Sequence, residues 1–241
     1  IDSIDRFQSH KFCTLKNFPV QIMCIQKFTD TLDNLLEKGY NLSLFEWESI
    51  LFQICFGLAV AQKQYLFVHN DLHSSNLMFE ETNEDYLYFC YNNKYYKVKT
   101  FGKITKIIDF GRATFKVGDR IYFSDVFKKN GDAEGQYNYP YHNNIANCKV
   151  RPNLSFDLSR LSTTILEHFM EDSSVFRLLK SWATDKDGRF LMNYEDDFNL
   201  YKLIAKNVTS AVPKDQLEKD LFTKFIVKKS EIPKKAFIYY Y

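Results

Sequence analysis

The sequence contains no run of about 18 apolar residues of the kind that crosses a bilayer as a helix. It opens on Ile1-Asp2-Ser3, with no methionine and no charged-then-apolar signal pattern, a start expected of a chain cut from within a longer protein. Five cysteines (Cys13, Cys24, Cys55, Cys90, Cys148) are odd in number, scattered and never in C-x-x-C. That argues against a disulfide or zinc framework and for free thiols in a reducing compartment, so a cytoplasmic location is expected. The net charge of +2 leaves no strong field of one sign, so neither nucleic acid nor a membrane surface is expected as a partner. The eight glycines form no G-x-G-x-x-G, so no glycine-rich loop of that type can be drawn.

What is present is ample core material. Of 241 residues, 45% are hydrophobic and 17% aromatic, enough for one large domain or two small ones. Two short motifs stand out. The first runs Val68-His69-Asn70-Asp71-Leu72-His73-Ser74-Ser75-Asn76-Leu77-Met78-Phe79, an H-x-D-L-x-x-x-N pattern between apolar flanks. In a tight loop the Asp71 carboxylate can orient a hydroxyl and accept its proton, and the Asn76 carbonyl oxygen suits a hard cation such as Mg²⁺. The second is Ile107-Ile108-Asp109-Phe110-Gly111, a buried-strand signature running into D-F-G.

Together and in this order the motifs resemble the catalytic and metal-binding loops of the protein-kinase-like superfamily. The connection between them is longer than the short hairpin of ordinary kinases. Tyr86 to Tyr91 and Tyr95 to Lys99 flank Asn92-Asn93-Lys94 and read as strand, turn, strand, followed by a strand from Ile104 to Ile108. This enlarged hairpin, with I-I-D-F-G-R-A and Asp197-Phe198-Asn199-Leu200-Tyr201-Lys202, resembles the Ser/Thr kinases of large nucleocytoplasmic DNA viruses.

The resemblance implies an α+β, mainly helical fold: a kinase C-terminal lobe with a β-hairpin insertion between the catalytic loop and D-F-G. Residues 1–28 would be the end of the small lobe and the hinge strand. Residues 29–226 would be the large lobe, with the insertion at 79–108 and the activation segment at 109–156, and 227–241 a solvated basic tail. It also implies ATP and Mg²⁺ as cofactors and a protein substrate, in the cytoplasm, or in host cytoplasm or virion if the source is viral. Asp71 would be the base, His73 would stand near the γ-phosphate, and Asn76 and Asp109 would hold the metal. Ile25 as gatekeeper, Gln26 and Phe28 at the hinge and Met78 beneath the ring would bind adenine. His69, Phe110, Gly111 and Asp157 would support them, Asp157 by bonding the loop backbone from below.

Around these sites, residues 20–28 read as a buried strand and Thr31 to Leu36 as a short helix stopping near Gly39. Ser43-Leu44-Phe45-Glu46 is a capping box opening a buried helix to about Lys63, with Trp47 and Cys55 as core residues. Ser155 to Phe169 opens a second buried helix, and Phe198 to Val208 and Lys214 to Ile226 read as peripheral helices. Asp185-Lys186-Asp187-Gly188 has its glycine at the wrong position for a calcium loop and reads as a turn.

The sequence departs from the kinase pattern at three points. Asn70 stands where many kinases have Arg, so the usual anchor for a phosphorylated activation loop is lost. His73 replaces a usual Lys. The phosphate-covering loop and the Lys–Glu pair of a small lobe cannot be found, so a missing small lobe is expected to belong to a parent protein, and this chain alone is expected to be inactive. Two other readings stay open: a small-molecule kinase of the choline or aminoglycoside type, which also uses H-N-D, and a pseudokinase that binds partners without catalysis.

Overall fold

A computed structural model describes residues 3–7, 10–14, 16–17, 19, 22, 24–139, 150–192 and 197–241; for residues 3–14 and for Asp197 it describes the backbone alone. Two strands, β1 (Ser3–Phe7) and β2 (His10–Thr14), pair as an antiparallel hairpin. After a two-residue strand β3 (Asp30–Thr31), helix α1 (Leu32–Glu37) starts on the Thr31 hydroxyl, which accepts from the Asn34 N–H. Helix α2 (Leu44–Tyr65) starts at the expected capping box: Ser43 Oγ accepts from Glu46 N–H, and the Glu46 carboxylate accepts from Ser43 N–H at 3.0 Å. It ends on Leu66 in the left-handed region.

Helix α2 has the length and apolar composition of a membrane span, which the absence of a continuous apolar run does not predict. Its apolar surface is taken up by the core. Trp47, Leu51, Phe52, Cys55 and Leu58 are buried, and the ring of Phe52 meets those of Phe56, Phe89, Tyr96, Phe222 and Phe225. Leu44, by contrast, stays exposed at the helix start.

The chain then runs through a 3-10 turn at Ser74–Asn76 into β4 (Leu77–Glu81), the long strands β5 (Tyr86–Tyr91) and β6 (Lys94–Lys99), and β7 (Lys103–Ile107). Strand β4 lies between β3 and β7 in a three-stranded sheet, with Leu77 opposite Ile107. That register brings the ends of the two motif loops side by side. Beyond the D-F-G triplet, β8 (Phe115–Val117) and β9 (Arg120–Tyr122) make a small hairpin within the segment 109–156. A satellite core of Ile121, Phe123, Phe127, Ala133 and Tyr137 packs there. Helices α3 (Phe156–Ile165), α4 (Ser174–Trp182) and α5 (Asp197–Asn207) follow.

Several expectations are corrected. Ile22 and Ile25 are 81% and 66% exposed, and residues 22 and 24–28 form no strand; Val20 and Met23 lie outside the described residues. The chain joins the sheet only at Thr29, whose N–H donates to Phe79 O, and no described element covers the segment before it. The helix expected over Lys214 to Ile226 is two short ones, α6 (Pro213–Gln216) and α7 (Asp220–Thr223). Leu217 and Phe222 are both fully buried, yet on one continuous helix they would point about 140° apart. The break lets both face the core.

The tail is solvated along most of its length, its lysines included, but it does not hang free. Strands β10 (Ile226–Val227) and β11 (Ile238–Tyr240) add to β6 and β5, giving a four-stranded sheet ordered β10-β6-β5-β11. Tyr239 stacks on Phe89 and Tyr241 meets Tyr91 edge-on, so the aromatic residues, and not the lysines, decide where the tail goes. The fold is thus α+β, with more strand than a mainly helical reading expects: eleven strands beside seven helices among the described residues.

Candidate active site

The loop carrying Asp71 is held from three sides. From below, the Asp157 carboxylate at the start of α3 accepts the backbone N–H of His69 at 2.9 Å and of Asn70 at 3.0 Å. Asp157 is fully buried; burial raises its pKa above the ordinary carboxylate value, and His69 and the two N–H donors oppose the shift. From the α1 side, Asp33 accepts the hydroxyls of Ser74 at 2.7 Å and Ser75 at 3.0 Å. From the D-F-G side, Ile108 N–H donates to Asn76 O at 3.0 Å, and the His69 ring nitrogen Nε2 lies 2.8 Å from Ile108 O.

Asn70, lacking the charge of an arginine, makes an amide link instead. Its backbone sits in the left-handed region at φ 64°, which asparagine tolerates better than most residues. That turn aims Nδ2 at the carbonyl of Arg112 (3.0 Å) and the hydroxyl of Thr114 (3.2 Å). Val68 and Thr114 exchange backbone bonds beside it. The catalytic-type loop and the segment after D-F-G are therefore joined by neutral hydrogen bonds.

The two oxygens of Asp71 have different surroundings. Oδ1 accepts a short hydrogen bond from the phenol of Tyr201 on α5, and Oδ2 lies 3.6 Å from Arg112 Nε. Nδ2 of Asn76 donates to Asp71 O at 2.9 Å and lies 3.1 Å from Nε2 of His73, leaving its Oδ1 as the atom a cation would take. Burial lowers the His73 pKa below the ordinary histidine value despite nearby Asp71, so the ring stays neutral and can accept from Asn76. Asp109 is exposed, with a left-handed backbone at φ 61° and Oδ1 accepting from Gly111 N–H at 3.2 Å. Asn76 and Asp109 are hard oxygen donors and fit Mg²⁺. Two such side chains bind it weakly alone, and among the described residues no three His, Cys, Asp or Glu side chains converge on a metal site.

The predicted residues thus divide. His69, Asp71, His73, Asn76 and Asp157 lie in one hydrogen-bonded unit, with Asp109 tied to it through Ile108. Phe110 contacts the rings of His69 and Phe67 at 5.6 and 5.9 Å but is 57% exposed, so it meets the loop from the edge of the core. Met78 is half-buried on β4, paired across the sheet with Thr31 and Lys106. Ile25 stands in solvent, Gln26 donates to the Glu80 side chain and Phe28 is half-buried. Tyr201, Arg112 and Asp33 were not singled out by sequence reasoning. Arg112 and Tyr201 fall within the quoted I-I-D-F-G-R-A and Asp197 to Lys202 patterns, but those patterns do not show that either side chain reaches Asp71 across the chain.

No family model matches the chain. It is similar to the serine/threonine-protein kinase haspin homolog of Arabidopsis thaliana, 38% identical over 91 residues, 38% of this chain and 15% of that protein. A haspin homolog of Drosophila melanogaster is 29% identical over 97 residues, 39% of this chain and 17% of the relative. Haspin of Bos taurus is 31% identical over 94 residues, 39% of this chain and 12% of the relative. The chain therefore spans a small part of the length of the curated relatives it matches. These likenesses support a protein-kinase-like domain and kinase-like phosphotransfer in general.

Proposed function

We propose that this chain is the large lobe of a serine/threonine protein kinase that transfers a phosphoryl group from Mg-ATP to a protein hydroxyl. The observation that carries this reading is the hydrogen-bonded unit in which Asp157 holds the Asp71 loop while Ile108 ties Asn76 to the strand that delivers Asp109. In it Asp71 receives the proton of the acceptor hydroxyl, and its fixed loop sets the direction of attack. Asn76 and Asp109 would hold Mg²⁺, which would supply positive charge to offset that of the phosphates. Neutral His73 fixes the Asn76 amide and leaves its oxygen turned outward. The glycine-rich cover and the phosphate-gripping Lys of a kinase are not among these residues, so the reading assigns the chain to the lobe below the nucleotide. In the same reading β5 and β6 are an insertion like that of the viral kinases, Ile25 is the gatekeeper, Gln26 and Phe28 belong to the hinge, and Met78 lies beneath adenine.

The test is radiolabel transfer by the full-length protein to a general protein acceptor, with and without Asp71→Asn. Transfer that disappears in the variant supports the reading. Equal rates overturn it, and transfer to choline or an aminoglycoside but to no protein moves the assignment to a small-molecule kinase.

A further inference from the structure

We propose that Tyr201 is the positioning residue for Asp71: its phenol fixes one carboxylate oxygen so that the other takes the proton of the acceptor. The inference rests on the phosphoryl-transfer reading above and adds to it a role for α5. Tyr201 Oη donates to Asp71 Oδ1 in a short hydrogen bond. The remaining oxygen, Oδ2, has Arg112 Nε at 3.6 Å, a charge contact longer than a hydrogen bond. Oδ2 therefore keeps a lone pair for an incoming hydroxyl.

The phenol is built into the fold. Tyr201 is 6% exposed, and two guanidiniums lie against its ring, that of Arg160 at 4.8 Å from the ring centre and that of Arg112 at 5.5 Å. Phe156 and Phe198 complete the surround, with ring centres at 5.7 and 6.0 Å. The helix beneath it is pinned by Asn153, whose Nδ2 donates to the carbonyls of Ile204, Ala205 and Val208 at 3.1, 3.1 and 2.7 Å. A phenol that merely sat in the acceptor position would have to leave before substrate entered, and here that means breaking its contacts with Arg160, Arg112, Phe156 and Phe198. A fixed support is the arrangement these contacts fit. Burial also raises the Tyr201 pKa above the ordinary phenol value, so the hydroxyl stays a donor at neutral pH.

The experiment compares wild type with Tyr201→Phe in the full-length protein. Phenylalanine keeps the ring beside the two arginines and removes the hydroxyl, and with it the bond to Asp71 and the hydrogen-bond contact with Arg160. The expected result is a roughly tenfold fall in kcat, a fraction of the ~10²–10⁴ that a general base contributes, with KM for Mg-ATP and the melting temperature unchanged. An unchanged or raised kcat overturns the inference, a raised one by showing that the phenol blocks the acceptor. A fall in kcat accompanied by an equal loss of melting temperature also overturns it, in favour of a packing role. The contact is checked without turnover through the Tyr201 ring-carbon resonance in ¹³C-tyrosine-labelled protein. Asp71→Asn should move it, and an unmoved resonance overturns the contact. Absence of transfer by the wild type is the separate result that overturns the phosphoryl-transfer reading itself.

Discussion

The two halves of the candidate site differ in how they are held. On the base side, His69 and Asn70 are fully buried, their N–H groups are taken by Asp157, and Asp71 is met by Tyr201 and Arg112. On the metal side, Asp109, Phe110 and Gly111 are exposed, and the Ile25 segment before β3 stands in solvent. The base side is organised by this chain's own packing. Past Ile108, which bonds to Asn76 and His69, the metal side is held by local contacts, Gly111 N–H donating to Asp109 Oδ1 and Ala113 N–H to Phe110 O. Binding free energy from a nucleotide and its cation would be spent ordering the second half, not the first.

That contrast can be broken most sharply by chemistry. Asp71→Asn in the full-length protein should lower transfer by about 10²–10⁴ while leaving Mg-ATP affinity nearly unchanged. Asp109→Asn should do the opposite first, weakening Mg-ATP binding. Matching affinities for the two variants would erase the division between base and metal sides.

The 241-residue chain alone tests the open side next. Calorimetric titration with Mg-ATP should show only weak binding and no turnover, because one amide and one carboxylate do not dehydrate Mg²⁺ without phosphates held in place. An affinity on the order of micromolar would mean that these residues already close the site.

Stability provides the third comparison. Asp157→Ala strands two buried N–H donors and should cost about 3 kcal/mol in urea unfolding. Phe110→Ala, at an exposed position, should cost less than about 1 kcal/mol. Equal losses would show that the D-F-G side is packed as tightly as the loop.

A smaller effect lies away from the site, at the start of α2. Burial alone would raise the Glu46 pKa, but Ser43 and Lys103 outweigh it and hold the carboxyl below its ordinary 4.5. A depressed carboxylate contributes stability above its unfolded pKa and loses it as pH falls through the folded one. Ser43→Ala should therefore cost about 1 kcal/mol at pH 7 and less in acid, read from urea midpoints. A cost independent of pH would remove Glu46 from the cap.

The smallest expected effect is none. Asn70 joins the segment after D-F-G through amide bonds that carry no charge, so phosphatase treatment should leave the transfer rate unchanged. A large loss would place a phosphate-binding cation such as Arg112 or Arg120 in the role that Asn70 does not fill.

Much of the base side could be read from the chain. Asp71 and Asn76 share one short loop, Asp109 follows a strand, and Asp157 opens a helix, so each announces itself locally. The strands β5 and β6 were legible for the same reason, in alternating Tyr, Lys and apolar residues. What could not be read depends on distant partners. Tyr201 looks like any aromatic on a half-buried helix until α5 is docked beside α3. Gln216 looks like a surface residue, yet it is buried, accepts the Trp182 indole N–H and donates to Ser210 O. Ile25 failed in the other direction: an apolar run reads as a buried strand whether or not anything in the chain packs over it.

The docking of β10 and β11 also sets an order of events during synthesis. Strands β5 and β6 can zip together as soon as Tyr91 and Lys94 have left the ribosome, but both outer edges of that pair then lie open. They are sealed only when residues 226–240 emerge and fold back. For that interval the nascent chain presents unpaired backbone flanked by tyrosines, a template for pairing with a neighbour. A stop codon ahead of Ile226 would make the interval permanent, and the product should collect in inclusion bodies even though every residue of the candidate site is present.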